Sequence, residues 1–109
     1  MKPIEEILAN LREAVDRYDT LPLFEVKELS EVLKMLDVNL GALVHHRIDS
    51  HSNWQSVKYN SKAKSEAAKR AEADHACQDL YKIRYIMKEY GDIKSSIRSQ
   101  ISLHKRQDQ

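Results

Sequence analysis

The chain has 109 residues, 41% hydrophobic, 32% charged and 6% aromatic, with two Gly, two Pro, one Cys and a net charge of +1. That length suits one domain, and folding at this size buries only about two-thirds of the surface, so a thin core or an oligomer is expected. So few Gly and Pro cannot supply the turns of a β-sandwich or barrel, which excludes an all-β fold and points to an all-α one.

The first helix is predicted over 3–18. Pro3 suits a first helical position, and Glu5 and Glu6 favour the first turn. Ile4, Ile7, Leu8, Leu11, Val15 and Tyr18 recur at three- and four-residue steps and form one apolar stripe. A linker follows over 19–23, where Pro22 cannot continue a helix and holds Leu21 extended.

A long helix is predicted over 24–58. Leu29, Leu33, Leu36, Leu40 and Leu43 step by four and three, which is a heptad seam. Gly41 costs about 1 kcal/mol relative to Ala inside a helix, so it is expected to permit close packing. No Gly or Pro marks the next turn. It is placed near 59–64, with Asn60 or Ser61 capping a second long helix over 65–105, and Ser52 with Asn53 is the second choice. The stripe of that helix contains Leu80, Ile83, Ile86, Tyr90, Ile93, Ile97 and Ile101, and it runs through Gly91. Before Ala76 its apolar positions are alanines, which bury little area.

The architecture expected is a short N-terminal helix followed by a long antiparallel helical hairpin, coiled-coil-like, in a single domain. One helix pair leaves its stripe poorly covered even with the first helix laid over it, so oligomerisation is expected. The candidate seam between copies is Leu33, Leu36, Leu40 and Leu43 with Ile83, Ile86, Tyr90, Ile93 and Ile97.

The net charge conceals a polarity. Residues 1–37 hold nine acids and five bases, net −4, whereas residues 38–109 hold eight acids and thirteen bases, net +5. The basic residues fall into two clusters. One is Lys58, Lys62, Lys64, Lys69 and Arg70; the other is Lys94, Arg98, Lys105 and Arg106, with no acid between Ile93 and Gln107. Such a face, interleaved with Ser95, Ser96, Ser99 and Ser102, suits phosphate oxygens. Trp54, Tyr59, Tyr81 and Tyr85 lie near these bases in sequence and would suit stacking on unpaired bases. The same residues also serve as an ordinary solvated helix surface and core edge. Self-recognition, acidic half to basic half, is a further option.

His45 and Asp49 share a helix face, but one helix offers at most two ligands, and no metal or cofactor is expected. There is no Gly-rich phosphate loop, nucleophile elbow, Cys pair or His-Glu-x-x-His motif, so the chain is not expected to be an enzyme. No apolar run approaches the roughly 18 residues of a transmembrane helix. The first ten residues lack the basic and apolar regions of a secretory signal. The lone Cys77 cannot form an internal disulfide, and it is expected to be a small buried side chain in a reducing cytoplasm.

The segments WQSVKY (54–59), SEAAKRAEAD (65–74), LYKIRYIM (80–87) and GDIKSSIRSQISLHK (91–105) resemble small helical phage proteins of the UvsY-type recombination-mediator family. The resemblance covers about half the chain. It implies an oligomeric accessory protein that binds single-stranded DNA and loads a recombinase, with Lys58, Lys62, Lys94 and Arg98 as DNA contacts. The acidic N-terminal helix has no counterpart in that pattern. The alternative expectation is a protein-binding adaptor or inhibitor, or a structural subunit, acting through the hairpin.

Overall fold

The computed structural model describes residues 2–20 and 26–107. It is all-α, with α1 (Ile4–Asp19), α2 (Val26–Asn60), α3 (Glu66–Ala76) and α4 (Gln78–Gln107), and it has no strand among the described residues. Pro3 stands one position earlier than predicted, as the extended N-cap of α1 rather than its first helical residue. Asp19, predicted in the linker, is still helical, and Thr20 closes the helix by donating its N–H to the Asp16 carbonyl. The expected break at Leu21 and Pro22, and the start of the second helix near 23–25, lie outside the described residues.

α2 runs for 35 residues, about 52 Å at 1.5 Å per residue. α1 packs antiparallel against its first half. Arg17 Nη2 reaches Glu31 at 2.7 Å, Asn10 Nδ2 donates to Asn39 Oδ1 at 3.1 Å, and His46 Nε2 donates to the Lys2 carbonyl at 2.7 Å. Asn39 is the buried polar residue of this helix. It takes the Asn10 bond and returns one to the Met35 carbonyl, so its amide is satisfied on both sides.

The turn falls at Ser61–Ser65, and serines build it in place of Gly and Pro. Ser61 Oγ accepts from Ala63 N and bonds Glu72, while Ser65 Oγ caps α3 by accepting from Ala68 N at 3.0 Å. The capping residue is therefore Ser65, not Asn60 or Ser61.

The predicted single helix over 65–105 is two helices. Cys77 leaves helical geometry at φ −122 and ψ 50, and α4 starts at the next residue. No breaker marks this joint. Tertiary contacts decide it: Asp74 is drawn to Trp54 on one side, the buried Cys77 thiol receives Asn53 Nδ2, and Leu80 inserts on the other side.

α4 then returns antiparallel along α2, giving an up-down-up three-helix bundle at one end and a two-helix arm of α2 and α3 at the other. The molecule measures 63 × 25 × 18 Å, with a radius of gyration of 18.4 Å. A compact chain of this length would have about 13 Å.

The core joins Ile7, Leu11 and Ala14 of α1, Leu29, Val32, Leu36, Leu40 and Leu43 of α2, and Ile86 and Ile97 of α4. Each fully buried Leu or Ile contributes about 1.5–3 kcal/mol. The heptad stripe expected to join copies closes within one chain. Leu36, Leu40, Leu43, Ile83, Ile86 and Ile97 are buried, while Leu33, Tyr90 and Ile93 are half-buried. The reason is that α1 covers the hairpin more completely than expected, with Ile7, Leu11 and Ala14 closing one core with α2 and α4. Gly41 also departs from expectation: it is exposed, and a Cβ added there meets nothing within 4 Å, so it mediates no close packing inside the chain.

Candidate functional site

The side of the bundle opposite α1 is formed by α2 and α4. Met35 and Asn39 meet α1, and Asp37, midway between them, lies about 200° round the helix from each. Asp37 faces α4. Lys94 Nζ is 2.5 Å from its carboxylate, and Arg98 Nη2 is 3.9 Å from it. Further along the same face, Arg47, Ile48, His51, Ser52 and Arg84 line an open dip of about 260 Å3. At the other end Arg98, Ser99, Ser102, Leu103 and Arg106 line a second, of about 390 Å3.

These contacts fix the α2–α4 register and reveal a heptad series on the outward side of α4. Arg84, Gly91, Arg98 and Lys105 recur every seven residues, flanked by Lys88, Lys94, Ser95, Ser102 and Arg106. Arg84, Lys88, Arg98, Lys105 and Arg106 are all exposed. Asp79 falls on another face by the same spacing, whereas Glu89 and Asp92 border the strip at Lys88, with which they line a dip of about 250 Å3 together with Tyr85. The result is a cationic strip along the rod, with Asp37 of α2 as its opposing carboxylate.

The two predicted basic clusters are thereby separated. Lys94, Arg98, Lys105 and Arg106 join the strip, although Lys94 is half-buried against Asp37. Lys58, Lys62, Lys64, Lys69 and Arg70 lie at the arm, about 36 Å of helix from Lys94 measured from Arg70. Lys62, Lys64 and Arg70 are exposed there. Lys58 is committed to Glu66 at 2.5 Å and lies over the Trp54 ring at 5.7 Å, and Arg70 Nε is 3.7 Å from the same Glu66. The Lys58 ammonium holds the Glu66 carboxyl below the usual carboxylate range, first by hydrogen bond and then by charge.

Sequence reasoning passed over Arg84, Lys88 and Arg47. The seven-residue step from Arg84 through Arg98 to Lys105 was the signal that could have found the first.

The aromatic residues divide in the same way. Trp54 is a structural tie: Nε1 donates to Asp74 Oδ1 at 2.8 Å, and its ring stacks on His51 with centroids 6.0 Å apart. Tyr81 Oη donates to the same carboxylate oxygen at 2.7 Å. The Tyr81 bond, followed by that of Trp54, holds Asp74 below its ordinary range, and Asp74 in turn raises the Tyr81 phenol. Trp54, Gln55, Lys58, Tyr59, Glu66 and Lys69 border an open groove of about 510 Å3. Tyr59, 88% exposed, and Tyr85, 68% exposed, present free rings.

No protein-family model, curated protein or solved structure matches this chain. Among the described residues no three His, Cys, Asp or Glu side chains converge as a metal site, and no helix is long and apolar enough to cross a membrane. His46 is instead spent on the Lys2 carbonyl and His51 on Trp54.

Proposed function

We propose that this chain is a non-enzymatic accessory protein that holds single-stranded nucleic acid along the α2–α4 face. The observation that carries this reading is the exposed cationic strip on α4, where Arg84, Arg98 and Lys105 line up at heptad spacing, flanked by Lys88 and Arg106, with serines between them. Such a strip offers charge and donors to phosphate oxygens without base-specific geometry. Tyr85 lies beside Lys88, in a dip shared with Glu89 and Asp92, and its ring is in solvent, where an unpaired base can stack. The resemblance to UvsY-type mediators supplies a setting for this activity, delivery of a recombinase to single-stranded DNA in a phage or mobile element.

Lys58 and Lys94 are minor contributors on this reading, because each is half-buried and 2.5 Å from a carboxylate, whereas Arg98 is exposed and 3.9 Å from Asp37. Arg98 and Lys105 are the principal contacts.

Fluorescence anisotropy with a labelled oligothymidylate tests it. Binding is expected at about 0.05 M salt and weakens steeply as salt rises, with a log–log slope of about −0.7 per phosphate contacted. Arg98→Glu combined with Lys105→Glu should weaken binding at least about tenfold and flatten that slope. Absence of binding at low salt, or equal binding by the variant, overturns the proposal.

A further inference from the structure

The strip on α4 has a chemical complement on the same molecule. Glu5, Glu6, Glu13, Asp16 and Asp19 of α1 are all exposed, against Arg12 on the same helix, while Arg17 is occupied by Glu31. These carboxylates span about 21 Å of helix, and the cations from Arg84 to Lys105 span about 31 Å. An acidic helix of this length fits within the basic strip.

The two surfaces lie on opposite sides of one three-helix bundle. α1 is the outer helix on one side, and the α2–α4 face carrying Asp37, Lys94 and Arg98 is on the other. They cannot meet within a chain. Nor can two copies related by a two-fold axis satisfy both surfaces at once, because such a pair buries the same single patch of each copy and these two surfaces lie on opposite sides of the bundle.

The middle of the basic face is also shaped for a close approach. The register set by Asp37 with Lys94, and by Arg47 with Arg84, puts Gly41 and Gly91 at the same level of α2 and α4. A Cβ added at either glycine would meet nothing within 4 Å. Ile48, 53% exposed, borders the same face and gives an incoming helix some apolar surface to cover.

We infer that a second copy of this chain lays its α1 on the α2–α4 face, so that copies add head to tail. The interface is heterologous, and growth is therefore open-ended rather than closed at a dimer. Opposite charge supplies attraction and orientation, and salt weakens it. Nucleic acid on the basic strip would compete for the same surface, but the inference stands without nucleic-acid binding and is tested in its absence.

Sedimentation velocity on the full chain gives the test. At about 0.05 M salt the weight-average mass should rise at least about twofold with concentration, and at about 0.5 M it should return to monomer because screening shortens to a few ångströms. Glu13→Gln with Asp16→Asn neutralises the acidic face; Arg98→Gln with Lys105→Gln neutralises the basic one. All four positions are exposed, and circular dichroism checks that each variant keeps its helices.

Each variant alone should stay monomeric. Mixed, they should form a one-to-one complex and nothing larger, because one usable surface of each kind remains. Gly91→Gln, which adds a side chain to the open face without touching the core, should weaken association while leaving the fold intact. A wild-type monomer at low salt and high concentration overturns the inference. So does association of either charge variant alone, or failure of the mixture to pair.

Discussion

Both glycines of the chain lie inside helices, and both face open space. Replacing them is therefore a clean perturbation. Neither has a positive φ, and a methyl group at either position meets no atom within 4 Å. The change should act through backbone entropy alone, since glycine loses more conformational freedom on helix formation than alanine does. Each of Gly41→Ala and Gly91→Ala should stabilise the monomer by about 0.8–1 kcal/mol.

The entropy of unfolding for a chain of this size is about 0.23 kcal/mol/K, so each substitution raises Tm by about 4 °C. The two residues contact no common side chain, and the double variant should gain about 2 kcal/mol. Urea unfolding followed by helical circular dichroism at high salt, where association is suppressed, measures this as a higher midpoint at unchanged slope. A loss of stability would refute the reasoning. It would mean that something packs on Gly41 or Gly91 within the monomer, or that α2 or α4 bends there.

Two further outcomes follow from the core and from the arm. Leu36→Ala should cost about 2–5 kcal/mol, a large share of the roughly 5–15 kcal/mol available to a domain of this kind. Because Leu36 is fully buried within one chain, the loss should appear as a lower urea midpoint that does not depend on protein concentration; a concentration-dependent loss would place the stripe between copies. Asp74 has its folded pKa lowered, so its contribution is present above the unfolded carboxylate range and is lost as pH falls through the folded value. Trp54, the sole tryptophan, reports on this directly. Its fluorescence should change on acidification below about pH 4 in the wild type and stay flatter in Asp74→Asn; superimposable titrations would rule out the tie.

The sequence was most informative where a pattern is local. Two Gly, two Pro and long three–four repeats leave little except helices, because backbone hydrogen bonding and a one-sided apolar stripe are satisfied turn by turn. The turn after α2 falls within a residue or two of where the sequence places it, but its cap was not legible: the oxygen that starts α3 belongs to Ser65 and not to Asn60 or Ser61. The basic character of the second half was equally plain. Its division was not, because Lys94 and Lys58 are neutralised by Asp37 and Glu66, and the partner of Lys94 lies on another helix.

Composition and periodicity by themselves determined the helical class, which follows from interactions between near neighbours in the chain, and the acidic-to-basic polarity along it. The tertiary structure alone decided that the leucine–isoleucine stripe is an internal core, because covering it depends on where α1 docks. It alone placed the joint at Cys77, through side chains about twenty residues distant in sequence, Asn53 and Trp54. It also turned a net charge of +1 into two opposed faces, since a charge acts from the side of the bundle to which packing assigns it.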